Sequence, residues 1–190
     1  MNQTKLIILR GPSGSGKTTT AKQLFDKAIR RTVLIEQDYY RFIFNPPGGG
    51  TKPNSDTIHK MIKNDILVAL DDGYDVIVEG ILSVKAYGEV LQNIFDHHLK
   101  ENYIFYFDVS FDETLKRHMV RQQQGRQLKG GGKMLVQDER RAERLQDFGA
   151  TEMAEWYAAA HRSDHQFENI IPESFTIDQT IDFIKHTSKL

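Results

Sequence analysis

No cysteine occurs in the 190 residues, which excludes disulfides, thiolate catalysis and cysteine-ligated zinc. Charge of neither sign prevails: 25 Lys and Arg stand against 26 Asp and Glu, a net charge of -1. That balance argues against a general nucleic-acid binder or a partner of anionic membranes. No apolar run approaches the roughly 20 residues that a membrane span needs. The N-terminal residues enter a strand pattern almost at once and lack the charged, apolar and small-residue succession of a cleavable leader. The expectation is a cytoplasmic protein with no membrane contact. No internal repeat and no composition shift divides the chain, so residues 1–190 read as one domain, long enough to bury a proper core.

What is present starts with Gly11-Pro12-Ser13-Gly14-Ser15-Gly16-Lys17-Thr18, which fits G-x-x-x-x-G-K-[ST], the phosphate-binding loop. A backbone curls around a phosphate chain only where side chains are absent or φ turns positive. Its N–H groups then point inward as an anion nest. Lys17 adds positive charge near the terminal phosphates, Thr18 offers a hydroxyl to Mg²⁺, and Thr19 continues the binding segment into the helix. The setting agrees. Lys5–Arg10 is a short apolar run of strand type. Behind the loop, Ala21, Leu24, Phe25, Ala28 and Ile29 recur at helical spacing. Strand, loop and helix together put a helix N-terminus against the phosphates.

Further strands are expected at Thr32–Glu36, Val76–Glu79, Tyr103–Val109 and Asn169–Ile171. Helices are expected from Ser55 to the Gly73 stop, with Ile58, Met61, Ile62 and Leu70 inward, and over Val84–Leu99, with Tyr87, Leu91, Ile94, Phe95 and Leu99 inward. Ser110-Phe111-Asp112-Glu113 and Thr176-Ile177-Asp178-Gln179 fit capping boxes that open two more. Asn45–Pro53 and Gln122–Lys133, each with a triple glycine, read as mobile loops. Alternating strands and helices predict an α/β fold with a mostly parallel sheet covered on both faces.

In such a sheet, ligands bind beyond the carboxyl ends of the strands. Asp38 follows the second strand, where a carboxylate orients an attacking hydroxyl or takes its proton; a turn or N-cap aspartate is the plainer reading. Glu79 ends a strand of Walker-B type, Val76-Ile77-Val78-Glu79-Gly80, and pairs with Thr18 as a candidate Mg²⁺ ligand. An ordinary strand-end ion pair is its alternative. Lys116–Gln137 carries six basic residues and no acid. Arg117 and Arg121 are four apart and share a helix face. A basic helix end running into a glycine-rich loop is the composition of a phosphate-covering lid, over about 117–137, although a charge run is also an ordinary solvated face. The aromatic group Tyr39, Tyr40, Phe42 and Phe44 reads equally as pocket wall or core. His161 and His165 lack the acid of a helical zinc motif.

Taken together, Gly11–Thr18, Glu36-Gln37-Asp38-Tyr39-Tyr40, Val76–Ile81 and Phe107–His118 resemble a small P-loop kinase. The resemblance lies nearest to the group of zeta toxins and chloramphenicol phosphotransferase and to the uridine and nicotinamide riboside kinases. It implies the three-layer P-loop NTPase fold: a five-stranded parallel sheet ordered 2-3-1-4-5, helices on both faces, and a lid. It also implies transfer of the γ-phosphoryl group of ATP, with Mg²⁺, to the hydroxyl of a small-molecule acceptor. Asp38 then faces the acceptor, and Arg117 and Arg121 are the lid arginines. No guanine-reading N-K-x-D, no L-S-G-G-Q and no Asp-Glu after the Walker-B strand point to a GTPase, transporter or motor. Two alternatives stay open: a nucleotide-binding regulator without turnover, which the intact Lys17, Thr18, Asp38 and Glu79 disfavour, and an RNA or DNA end-kinase, which the balanced charge disfavours. Oligomeric state and acceptor identity have no signature in the sequence.

Overall fold

Five apolar stretches, too short for helices and rich in β-branched and aromatic residues, form the strands. The structure, a computed structural model, describes residues 3–44, 54–99, 101–128, 150–160 and 168–190. Its strands are β1 (Leu6–Arg10), β2 (Thr32–Glu36), β3 (Asp75–Gly80), β4 (Asn102–Asp108) and β5 (Glu168–Pro172). All neighbours are parallel and the order is β2-β3-β1-β4-β5, as the resemblance implied. The helices are α1 (Lys17–Asp26), α2 (Gln37–Ile43), α3 (Ser55–Asp71), α4 (Val84–His97), α5 (Phe111–Leu128), α6 (Ala150–Ala159) and α7 (Ile177–Ser188).

Strand alternation sorts the core into two layers. Ile7, Leu9, Ile77, Phe105 and Phe107 form one cluster with Ala21 and Leu24 of α1 and Ile181 and Ile184 of α7. Leu6, Ile8, Val76, Val78 and Ile104 form the other with Ile58, Ile62 and Ile66 of α3 and Tyr87 and Ile94 of α4. Each fully buried aliphatic side chain contributes about 1.5–3 kcal/mol of transfer free energy, so the central strands hold the sheet between its helices. Every residue of β1 and β3 is buried, which is why both read as continuous apolar runs.

The helix ends are set by side chains. Thr176 and Gln179 complete the expected capping box of α7. Asn54 caps α3 by accepting from the N–H groups of Asp56 and Thr57, at 2.9 and 3.3 Å. The box expected at Ser110 is only half formed. Its hydroxyl accepts from the Glu113 N–H at 3.4 Å, but its own N–H donates to Glu173 at 2.7 Å, and the Glu113 carboxylate turns to Arg117.

Four expectations need correction. Helix α1 ends at Asp26, so Ile29 lies beyond it and is 100% exposed, and Phe25, in the helix's last turn, is 40% exposed instead of inward. Helix α4 ends at His97 and leaves Leu99 80% exposed. Periodicity identified the faces, but the chain turns off each helix before the last apolar residue. The segment after β2 is a helix, α2, so consecutive aromatics splay around it: Tyr40 is core and bonds Asp65, while Tyr39 and Phe44 are exposed. The expected loop over Gln122–Lys133 is helical as far as Leu128. Gln, Arg and Leu are good helix formers, and the lone Gly125 costs only about 1 kcal/mol. Residues 129–133, the expected loop Asn45–Pro53, and His161 and His165 lie outside the described residues.

Candidate active site

The loop Gly11–Gly16 joins the buried end of β1 to the N-terminus of α1. Its turns use φ values open to glycine: 143° at Gly11, 86° at Gly14 and 106° at Gly16, the N-cap of α1. Gly11 is also constrained by contact, since a Cβ there would lie 2.9 Å from the Phe107 carbonyl oxygen on β4. Pro12 and Ser15 close the loop through a Ser15 N–H to Pro12 oxygen bond of 3.3 Å. Lys17 is 6% exposed and donates to the Pro12 oxygen at 2.6 Å and to the Ser15 hydroxyl at 3.2 Å. Its ammonium is thereby held over the loop rather than in solvent. Ser13 and Gly14 are half-buried at the tip, and Thr19 is exposed one residue beyond Thr18.

Glu79 stands opposite the loop. Its strand neighbours in register are Leu9 on one side and Glu36 on the other. Alternation points it to the α1 face, where Thr18 hydrogen-bonds its carboxylate. At 4% exposure it is buried, and burial pushes its pKa up to about 7; Lys17 and the Thr18 hydroxyl oppose that rise, while Asp38 and Glu36 add to it. Two oxygen donors, from Thr18 and Glu79, thus come together within the electrostatic reach of Lys17. Hard oxygen donors, few in number, suit Mg²⁺, which retains waters and takes its remaining ligands from phosphates. No group of three or more His, Cys, Asp or Glu able to hold a metal occurs among the described residues, so a site dominated by protein ligands is not built there.

Asp38 lies in the first turn of α2, close enough to influence Glu79. Its side chain is 52% exposed, with Arg41 at 3.6 Å as an ion-pair partner. An acid in a helix's first turn also suits the helix dipole, so both readings of Asp38 have a structural basis. Arg41, His59 and Tyr87 gather on this side. The His59 and Tyr87 rings are 4.2 Å apart, and Arg41 and Asp38 both act electrostatically on Tyr87. In the sequence Tyr87 reads only as helix core and His59 carries no signal; they come together from α3 and α4 only in the fold.

On the other side of the loop lies Arg117. Its Nε donates to Glu113 at 2.8 Å and its Nη1 to the Ser15 oxygen at 3.3 Å. That second bond ties α5 to the phosphate loop. Arg117 lines a cavity of about 260 Å³ with Ser15, Thr19, Pro172, Glu173 and Phe175. Glu173 is held down in pKa by the Ser110 hydroxyl and N–H. This wall comes from the end of β5, a strand end whose acid is visible in the sequence and was a readable signal. Arg121 lies one turn further along α5, and its side chain is outside the described residues. A larger cavity, of about 520 Å³, sits at the outer edge of β2 against α3 and shares only Glu36 with this site.

A search of curated proteins found no match. Among solved structures, a kinase candidate from Chloroflexus aurantiacus matches with a TM-score of 0.68 at 15% identity, covering 100% of this chain and 98% of that one. A tunicamycin resistance protein from Deinococcus radiodurans matches at 0.64 and 17% identity, covering 99% and 97%. The APS kinase of Mycobacterium tuberculosis, solved with AMPPNP and APS, matches at 0.62 and 15% identity, with both chains covered in full. These likenesses are of fold, the P-loop kinase-like arrangement over the whole length. A family model described as an AAA domain matches residues 6–145, well over half of the chain, and on that match the protein belongs to the AAA_33 family.

Proposed function

We propose that the protein is an ATP-dependent kinase that moves the γ-phosphoryl group of ATP to a hydroxyl of a small-molecule acceptor. The observation that carries this reading is the placement of Glu79: buried near the end of β3, it faces the α1 side, where Lys17 and Thr18 act on its carboxylate, and Asp38 in the first turn of α2 acts on it as well. Nucleotide machinery and a candidate acceptor-side carboxylate thus share one electrostatic environment. The narrower resemblance to zeta toxins and chloramphenicol phosphotransferase rests on sequence motifs alone. The family and a fold shared with a structure solved with AMPPNP support nucleotide binding.

On this reading Gly11–Thr19 holds the phosphates through its N–H groups, and the 260 Å³ cavity between Arg117 and Pro172–Phe175 takes the base. Lys17 sits over the transferring phosphoryl group, where its charge matters most as charge develops. Thr18 and Glu79 would hold Mg²⁺, which when bound would neutralise charge on the phosphate oxygens. Asp38 orients the acceptor hydroxyl and accepts its proton; phosphoryl transfer leaves the protein little else to do than position and neutralise. Arg117, and Arg121 one helical turn on, supply guanidinium charge to the transferred group. The balanced charge of the chain favours a small acceptor over a nucleic-acid end.

The test is acceptor-dependent ADP release across nucleosides, sugars, nucleotide sugars and hydroxylated antibiotics. At least one acceptor is expected to raise ADP release well above the acceptor-free rate, with a phosphorylated product of matching amount. Nucleotide binding with no acceptor response in any class would favour the regulator that does not turn over.

A further inference from the structure

Leu82 has φ of 42°, a left-handed conformation that a bulky residue adopts only when its surroundings impose it. Two buried side chains impose it here. The Gln37 Oε1 accepts from the N–H groups of Ile81 and Leu82, at 2.9 and 3.3 Å. The Arg10 Nε donates to the Leu82 carbonyl oxygen at 3.2 Å. Arg10 in turn pairs with Glu168 on β5 at 2.5 Å and lies over the Tyr106 ring at 5.3 Å. Gln37 also hydrogen-bonds the Tyr87 side chain. Gln37 is 8% exposed and Arg10 1%, so these bonds form away from competing water.

The sequence positions give the network a purpose. Gln37 precedes Asp38, and Gly80, Ile81 and Leu82 follow Glu79. Gly80 lies against the Gln37 side chain so closely that a Cβ would meet its Oε1 at 2.4 Å and its Cβ at 2.6 Å. Alternation sends Glu79 to the α1 face and Gly80 to the Gln37 face. The backbone that carries one acid is therefore seated on the residue beside the other.

We propose that Gln37 is a positioning residue that sets Asp38 against Glu79, with Arg10 holding the far side of the same Leu82 turn. This rests on the kinase reading for its catalytic consequence. The contact itself does not. A carboxylate displaced by about 1 Å is enough to lower transfer about a hundredfold without touching nucleotide contacts.

The experiment compares wild type with Gln37→Met, which keeps length and loses the acceptor, and Gln37→Glu, which keeps an acceptor oxygen. Gly80→Ala, which leaves every named acid in place and displaces the Gln37 side chain, serves if Gln37→Met fails to fold. Three readouts are taken: hydrogen exchange at Ile81 and Leu82, MgATP affinity, and transfer from γ-labelled ATP to a nucleoside and sugar panel. Gln37→Met and Gly80→Ala should speed exchange at both amides and lower kcat for transfer about ten- to a hundredfold, with MgATP affinity within about threefold of wild type. Gln37→Glu should restore both the protection and most of the transfer. Unchanged exchange would show that the brace is not made. Faster exchange with full transfer, or equal loss of MgATP affinity and transfer, would leave Gln37 a structural residue and overturn the proposal. If wild type transfers to no acceptor, the kinase reading falls and the catalytic role with it, while the exchange arm still reports whether Gln37 braces the turn.

Discussion

Replacing Glu79 by glutamine should make the protein more stable and less active, and the size of the gain should depend on pH. Burial pushes the Glu79 pKa from 4.5 to about 7, helped by Asp38 and Glu36 and opposed by Lys17 and Thr18. At 1.36 kcal/mol per unit, ionising this carboxyl in the ligand-free fold costs about 3 kcal/mol. The sign follows from proton linkage. Below 4.5 the group is protonated in both folded and unfolded chains, so it costs nothing. Between 4.5 and about 7 the folded chain binds the proton that the unfolded chain has released, so stability falls as pH rises. Above about 7 the full cost is present. Glutamine has the same shape, accepts the Thr18 hydroxyl and has no charge to bury. Urea unfolding of wild type and Glu79→Gln, without Mg²⁺ or nucleotide, should therefore give nearly equal stabilities at pH 4.5 and a difference of up to about 3 kcal/mol in favour of the variant at pH 8. A pH-independent difference, or a variant less stable at pH 8, would refute the reasoning. A buried acid that destabilises the empty fold is intelligible if Mg²⁺ is what offsets its charge at work.

Three further outcomes follow from the same geometry. Lys17→Ala should lower turnover about a hundred- to thousandfold, roughly 3–4 kcal/mol, by removing a preorganised charge; unchanged steady-state kcat would exclude Lys17 from the phosphate site. Gly11→Ala should destabilise by about 1–3 kcal/mol in chemical denaturation, because its Cβ meets Phe107 at 2.9 Å at a φ of 143°; a neutral result would mean that the loop has room to shift. Arg117→Ala should weaken MgATP binding about tenfold by calorimetry, since the side chain bonds the Ser15 carbonyl and lines the adjoining cavity; unchanged affinity would place the base elsewhere.

The strands, the phosphate loop and the α7 capping box were legible because each is written in a few neighbouring residues. Sheet order came only from the family resemblance, since nothing local says that β1 lies between β3 and β4. Helix α2 escaped notice because seven residues with three aromatics give no helical stripe. Its existence changes the picture of Asp38 from a strand-end acid to one in a helix's first turn. The run of α5 through Gln122–Leu128 was hidden by the glycines that follow it. Gln37 was in plain view between Glu36 and Asp38, yet its partners Ile81, Leu82 and Tyr87 lie more than forty residues away. The wall at Pro172–Phe175 is of another kind: Glu173, just past the fifth strand, is as local a signal as Asp38 after the second and Glu79 in the third.

The central claim is that Asp38 directs the γ-phosphoryl group of ATP to an acceptor hydroxyl. Its most direct measurement incubates wild type and Asp38→Asn with γ-labelled ATP, Mg²⁺ and a small-molecule extract of cells, and resolves the labelled products. Wild type should label an organic compound, and Asp38→Asn should label it about a hundred- to ten-thousandfold more slowly while binding ATP almost normally. Label found only in inorganic phosphate, or equal organic labelling by both proteins, would contradict the account.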